Sequence, residues 1–403
     1  MRASTYPLLE ASEALRTVLE ATPVGGVERV AVGALRGRVL GRDVIASHQL
    51  PSFPASAVDG YAHHSSDHPQ RLSVVGESAA GRPWDRSLGV GEAIRILTGA
   101  VVPEGADAVT MLEDAEELEG WVRLPLARSG QNLHAPGADV EAGQVVLGQG
   151  SIVGPAELGL LGALGLASAD VHRRPRVALM STGDELVEVG TEPGPGQIVD
   201  SNRWALNAAL EEAGAVVTML GIAPDEPGSL RRLVQEALLE HDVLVTSGGV
   251  SVGTHDLVKP LLAEIGQVLV GRVKVRPGKP FTFATLPGGK IAFGLPGFPV
   301  SSLVTLEVFV RPALRRMQGM ARLERPLLTV KMGFDARSPG DRTDYHRVRL
   351  EAEGDQLVAH STGRQSSSRL LSMAGAQALV RVPPGETGLA AGSLVPAMIL
   401  DLN

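Results

Sequence analysis

The sequence predicts a multidomain α/β protein. A central, mostly parallel α/β domain is joined to a β-rich module, an elongated helical/β linker domain and a small C-terminal β-barrel. Three observations carry this. The chain has 403 residues, more than one hydrophobic core normally holds. Between residues 176 and 320, short apolar runs alternate with helical stretches, the pattern of βαβ units. On either side of that region the pattern changes to short β-type runs broken by Gly, Pro and Asp.

In chain order, residues 7–21 place Leu8, Ala11, Leu15, Val18 and Leu19 at helical spacing, and Pro23, Gly25 and Gly26 end that helix. Glu10 and Glu13 interrupt its apolar stretch, so it does not read as a signal peptide. Runs at 71–75, 93–97, 108–111 and 121–124 read as strands of the β-rich module. A helix follows over about 155–166. The window 152–171 is the most apolar of the chain, yet Pro155, Glu157 and Asp170 interrupt it. A membrane span needs about 20 nearly uncharged residues, so this reads as a buried or subunit-packing helix.

In the α/β region, strands are expected at 177–180, 216–221 and 243–246. Asp200 or Ser201 can cap a helix over 202–213, and helices at 229–240 and 256–265 follow. Runs 281–286 and 290–295, joined at Pro287-Gly288-Gly289, read as a hairpin appended to the sheet, before a helix near 301–316. The last strands, 327–332, 346–350, 357–360 and 378–382, suggest a small barrel or sandwich. The divisions are 1–45 with 144–172 (linker), 46–143, 173–322 and 323–403.

Composition narrows the function. Hydrophobic residues at 44% and charged residues at 20% are ordinary for a soluble globular protein. The absence of cysteine excludes disulfides, thiolate zinc sites and a cysteine nucleophile, and agrees with a cytoplasmic setting. A net charge of −8 and only 3% aromatic residues argue against nucleic acid as a partner. A small local basic pocket remains compatible with both.

Ligands of open α/β sheets bind beyond the carboxyl ends of the strands, and three loops of unusual chemistry leave strands here. The first is S-T-G-D-E-L, 181–186, where Ser181, Thr182, Asp184 and Glu185 either bind a polar ligand or cap an ordinary turn. The second is S-G-G-V-S-V-G-T-H-D, 247–256; its glycines let backbone N–H groups approach an anion, but no P-loop or dinucleotide fingerprint is present. Asp256 in it is either a helix N-cap or a carboxylate holding Mg²⁺ against a phosphate. The third is R-V-K-V-R-P-G-K-P, 272–280; if it is a strand, Arg272, Lys274 and Arg276 share one face, and Lys279 follows on a rigid turn. Only five lysines occur in the chain and two fall here, so the stripe is either an anion pocket or a solvated sheet edge. G-L-P-G-F-P-V-S, 294–301, adds a rigid loop fit to wall a pocket. His63, His64 and His68 lack ligand spacing and read as a surface loop, and no G-x-S-x-G elbow supports a serine hydrolase.

Together with L-P-S-F-P-A-S-A-V-D-G-Y-A (50–62), R-I-L-T-G-A-V-V-P-E-G-A-D-A-V (95–109), G-Q-N-L-H-A-P-G-A-D (130–139) and V-D-S-N-R (199–203), these motifs run in order along nearly the whole chain. In that order the sequence resembles the molybdopterin molybdenumtransferase family, the bacterial MoeA proteins and the related gephyrin E domain. The resemblance is looser in D-R-T-D-Y-H-R (341–347) and T-G-R-Q-S-S-S (362–368).

The resemblance implies a central domain of the molybdopterin-binding type and an elongated homodimer. It implies adenylated molybdopterin and molybdate as substrates, insertion of molybdate with release of AMP, and Mg²⁺ or a similar ion. It further implies that Asp225 and Asp256 are the metal-linked carboxylates, and that Glu185 and the loop of Ser247, Gly248, Gly249, Ser251 and Gly253 contact the pterin phosphate. Arg272, Arg276 and Lys279 correspond to the basic pocket, with Pro296, Pro299, Ser301, Arg347 and Ser367. Asp59, Thr98 and Asp139 would come from the second subunit. Many members have lysine where this chain has Arg272 and Arg276, and asparagine where it has Phe298. A molybdopterin adenylyltransferase, which is also an expected partner, and a non-enzymatic scaffold retaining the fold are the alternatives. The extra β modules and the Asp59 segment weigh against the first.

Overall fold

The structure is a computed structural model that describes residues 6–66, 71–250 and 257–401. Its centre is a six-stranded sheet in the order Val216–Ala223, Arg176–Thr182, Val243–Ser247, Lys290–Leu295, Thr282–Leu286, Gln267–Val270. The first three pairings are parallel and the last two antiparallel, so only Thr282–Leu286 runs against the rest.

Alternation along the strands feeds two cores. Val177, Leu179, Val243 and Val245 face one helical layer with Phe281, Phe283, Phe293 and Phe309, while Ala178, Met180 and Leu244 face the other. Burial on both faces is why these strands read as unbroken apolar runs. The Phe281–Phe309 rings stack with centroids 4.5 Å apart, and Phe283 and Phe293 lie 5.1 Å apart. Such pairs add about 0.5–1.5 kcal/mol each beyond their burial.

Two expectations for this domain change. The hairpin is not an appendage: its second strand pairs in parallel with Val243–Ser247, so it completes the middle of the sheet. The helix expected near 301–316 is one helical run of three parts, Pro299–Thr305, a π-helical turn Leu306–Val310, and Arg311–Met317.

The β-rich module is a second six-stranded sheet, ordered Ala108–Met111, Gly60–His63, Glu92–Ile96, Arg71–Ser78, Trp121–Arg123, Glu116–Leu118. His63 lies in one of its strands and not on a surface loop: it is buried and its Nε2 lies 2.9 Å from Thr110 Oγ1. His64 is exposed, and His68 lies outside the described residues.

Beside this module, two stretches distant in sequence meet. Val27–Ala31 pairs with Ser168–His172, and Val44–Ile45 with Val145–Leu147, around Leu35, Leu40, Val153 and Leu161. The N-terminal helix Ala11–Ala21 does not join them. It buries Ala14 and Val18 in the core of the α/β domain, because its apolar stripe fits the face carrying Val273 and Phe281.

The C-terminal strands close into a five-stranded barrel: Thr343–Glu353, Gln356–Ser361, Leu327–Met332, Leu394–Ile399, Ala378–Val382, and back to Thr343–Glu353. Val275–Arg276 pairs in parallel with Thr343 and Asp344 of this barrel. The cationic segment therefore bridges the α/β domain and the barrel. Among the described residues, no helix is long and apolar enough to cross a membrane.

Candidate active site

Strands Arg176–Thr182, Val243–Ser247 and Lys290–Leu295 end side by side, with Ser181 paired to Ser247 and Ser247 to Leu295. Loops leaving these three ends wall a cavity of about 400 Å³. It is lined by Thr182, Glu185, Asp200, Asn202, Asp225, Ser247, Gly248 and Gly249, with Pro296 and Pro299 opposite. A second cavity of about 680 Å³ is lined by Arg276, Lys279, Phe298, Ser301, Arg342, Ser366 and Ser367. Glu185, Ile198, Pro280, Pro296 and Gly297 line both, so the two form one trough.

Local chemistry fixes each wall. Gly248 and Gly249 have φ of 89° and 66°. A Cβ at Gly249 would stand 2.7 Å from Val258 Cγ2 and 2.8 Å from Thr182 Oγ1, so only glycine fits the turn. Asp200 is buried, accepts from the Arg203 amide (3.2 Å), and lies 3.3 Å from Arg203 Nε, which starts the helix Asn202–Glu212 at the cavity rim. Asn202 Nδ2 donates to Ser247 Oγ (2.8 Å) and to the Gly297 carbonyl (2.7 Å), tying two loops together. The Val300 amide donates to the Ser367 carbonyl (3.2 Å), which joins the α/β domain to the barrel loop.

The two ends of the trough differ in charge. The first carries Asp225 beside hydroxyl and backbone groups, with Glu185 where the two cavities join. The second carries Arg276, Lys279 and Arg342. Asp341 offsets part of that positive charge: it accepts from Arg342 (2.7 and 3.0 Å) and from Arg276 (3.2 Å), and the Arg342 hydrogen bonds hold its carboxyl below the usual range. Lys279 is exposed and has no acidic partner among the described residues. The arrangement suits an oxyanion at one end and hard oxygen ligation of a cation at the other.

Of the residues expected from sequence, Glu185, Asp225, Ser247, Gly248, Gly249, Arg276, Lys279, Pro296, Pro299, Ser301 and Ser367 line the trough. Ser251, Gly253 and Asp256 lie outside the described residues.

Arg272 is a correction: its guanidinium donates to the Tyr6 carbonyl (2.8 and 3.2 Å), and it lines neither cavity. Lys274 is likewise taken by Glu10, at 2.5 Å. Both turn toward the N-terminal segment, which pairs along this edge and which residue spacing alone does not reveal.

Arg347 is a second correction. It is 1% exposed and bonds to the Tyr345 and Ser366 carbonyls and to Ser372 Oγ, so it supports the Ser366–Ser367 loop from behind. Burial pushes its guanidinium down to about 10. Asp59, Thr98 and Asp139 sit in the β-rich module and line neither cavity. Asp59 Oδ1 accepts from both the Thr98 hydroxyl (2.7 Å) and its amide (2.6 Å), which holds that exposed carboxyl below its ordinary value.

Three family descriptions match the chain in order: "MoeA N-terminal region (domain I and II)" over residues 9–165, "Probable molybdopterin binding domain" over 178–316, and "MoeA C-terminal region (domain IV)" over 329–400. A molybdopterin molybdenumtransferase of a Nostoc species is 37% identical over 388 residues, covering 93% of this chain and 89% of that protein. The chain belongs to the MoeA family. Gephyrin of Dictyostelium discoideum is 33% identical over 99% of this chain, which spans only 63% of gephyrin's length. The crystal structure of a MoeA protein from Pyrococcus horikoshii, 32% identical, superposes with a TM-score of 0.85 and covers 98% of this chain and 100% of that one. The resemblance read from the motifs is thus borne out, as is the multidomain fold with a central α/β domain and a C-terminal barrel. Among the cavity residues to which sequence reading assigned no role are Asn202 and Arg342. Asn202 could be seen only inside V-D-S-N-R, and Arg342 only inside the looser match D-R-T-D-Y-H-R.

Proposed function

We propose that this chain is a molybdopterin molybdenumtransferase, inserting molybdate into adenylated molybdopterin and releasing AMP. One observation carries the reading: a single trough at the strand tips holds Asp225 at one end, Glu185 at the junction, and at the other end three cations that Asp341 only partly offsets. Molybdate is a dianion and the substrate carries a phosphoanhydride. In a protein of net charge −8, Arg276, Lys279 and Arg342 supply the local positive field that such an oxyanion needs. Ser247 offers its hydroxyl and the glycine turn the Gly249 amide to the phosphates at the other end.

The donor set fits a hard divalent ion. Asp225 and Glu185 wall one cavity with the Ser247 hydroxyl, all oxygen donors, and Asp256 follows later in the sequence, outside the described residues. Asp225 and Asp256 would hold Mg²⁺ there. Bound, the ion would act as a Lewis acid on the phosphoanhydride. The protein orients the two anions and keeps Lys279 and Arg276 toward the oxyanion.

On this reading the protein is a homodimer in which each trough receives Asp59, Thr98 and Asp139 from the partner subunit; within one chain they lie in the β-rich module. The reading places the protein in the cytoplasm, where it would meet the adenylyltransferase that makes its substrate. An adenylyltransferase would need only the α/β domain, whereas this chain carries the N-terminal and C-terminal MoeA regions as well. The test is AMP release from adenylated molybdopterin with and without molybdate. Release that depends on molybdate and yields active cofactor is expected; an inert mixture would sink the proposal.

A further inference from the structure

Asn202 fixes more than loop spacing. Its Nδ2 lies 2.7 Å from the Gly297 carbonyl oxygen and 2.8 Å from Ser247 Oγ. A carbonyl can only accept, so the amide nitrogen, and not the amide oxygen, must face both groups. Its two hydrogens are then committed, one to each. Ser247 Oγ is thereby an acceptor from Asn202, and its own hydrogen has no acceptor among the described residues.

Ser247 ends its strand, is 2% exposed and lines the carboxylate-bearing cavity. The surrounding backbone is equally fixed: Ser247 pairs with Leu295, and the Gly248 amide continues the ladder to the Leu295 carbonyl at 3.0 Å.

We propose that Asn202 is a positioning residue that locks the Ser247 hydroxyl as a hydrogen-bond donor into the cavity, for an anionic phosphate oxygen of the substrate. A free serine rotor gives its hydrogen to whatever acceptor is nearest, and Glu185 and Asp225 line the same cavity. With one lone pair held by Asn202, the hydroxyl is oriented before the ligand arrives, so binding pays little to order it. The assignment of the ligand as a substrate phosphate rests on the function proposed above.

The test is a double-mutant cycle over Asn202→Ala and Ser247→Ala, read on two quantities. One is KM for adenylated molybdopterin in the AMP-release reaction. The other is Kd for inorganic pyrophosphate by calorimetry, which needs no turnover. Each single variant is expected to weaken both by about tenfold, the worth of one charge-assisted hydrogen bond. The double variant should be no weaker than Ser247→Ala alone. Asn202→Asp, nearly isosteric but unable to donate, should match or exceed the alanine loss while keeping the native melting midpoint, which separates donation from loss of folding.

Additive effects, or Asn202→Ala and Asn202→Asp at wild-type values, would overturn the inference while leaving molybdate insertion standing. Coupling in pyrophosphate binding without any AMP release would support the inference and sink the functional reading. A wild-type protein that neither turns over nor binds pyrophosphate would overturn both.

Discussion

At the scale of single residues, charge neutralisation decides most outcomes. Glu307 is 7% exposed and accepts from Arg311 (2.7 and 3.1 Å) and Arg325 (2.9 and 3.2 Å), while Arg325 also donates to the Leu400 carbonyl (2.8 Å). Burial pushes this carboxyl up, but the Arg325 hydrogen bond and the two guanidinium charges outweigh it and hold it below its ordinary value. Glu307→Gln leaves the buried Arg311 and the half-buried Arg325 with only the exposed Glu212 as acidic partner, and should cost about 3–5 kcal/mol in a urea unfolding experiment near pH 7. Because the folded value is depressed, the advantage of the wild type is complete above the unfolded value near ~4.3 and fades as pH falls through the folded one. Repeating the pair at lower pH should show the gap closing; a gap that widens would contradict the assignment. Arg276 and Arg272 offer a second contrast. Arg276→Ala should raise KM for molybdate by roughly 10–100-fold, as expected for a hydrogen bond to a charged group. Arg272→Ala should leave it nearly unchanged, since that guanidinium is held by Tyr6. Equal effects would restore the uniform cationic stripe suggested by sequence spacing.

At the scale of elements, the site depends on how three strands end. The Gly248-Gly249 turn has left-handed backbone at both positions and touches Thr182 of the neighbouring strand and Val258 of the next helix. Gly249→Ala adds the left-handed penalty of about 1–2 kcal/mol to a clash that neither wall can relieve without moving. We expect a drop of a few degrees in melting midpoint and a larger loss in kcat/KM for adenylated molybdopterin. A variant with wild-type kinetics would show that the turn does not shape the ligand site. The helices beside the turn were legible from sequence because Gly214 and Gly266 close them after amphipathic runs. The π-helical turn at Leu306–Val310 was not, since a fully buried segment shows no polar stripe to betray its period.

At the scale of the whole molecule, the proposed partner subunit is the main question, because Asp59 and Asp225 lie in different modules and only Asp225 lines the trough. If each trough takes Asp59 from a second copy, Asp59→Ala and Asp225→Ala should each be inactive alone. Mixed and allowed to exchange subunits, they should recover about a quarter of wild-type activity, because half the dimers are hybrids with one intact site. No recovery despite demonstrated exchange would place Asp59 outside the chemistry or within its own chain's site.

What the sequence determined by itself was local and ordered: the alternation of strand and helix, the glycine turns, the motif series that marks the MoeA family, and most of the trough residues. These are properties of neighbouring positions, set by periodicity and backbone sterics. Only the tertiary structure decided that Arg272 and Lys274 face the N-terminal segment, that Arg347 is buried behind its loop, that the N-terminal helix joins the α/β core, and that Asn202 reaches Ser247 and Gly297. Each depends on contacts between residues far apart in the chain, such as Arg272 with Tyr6 or Asn202 with Gly297. A pattern of spacing names the face a side chain takes but not what lies opposite it.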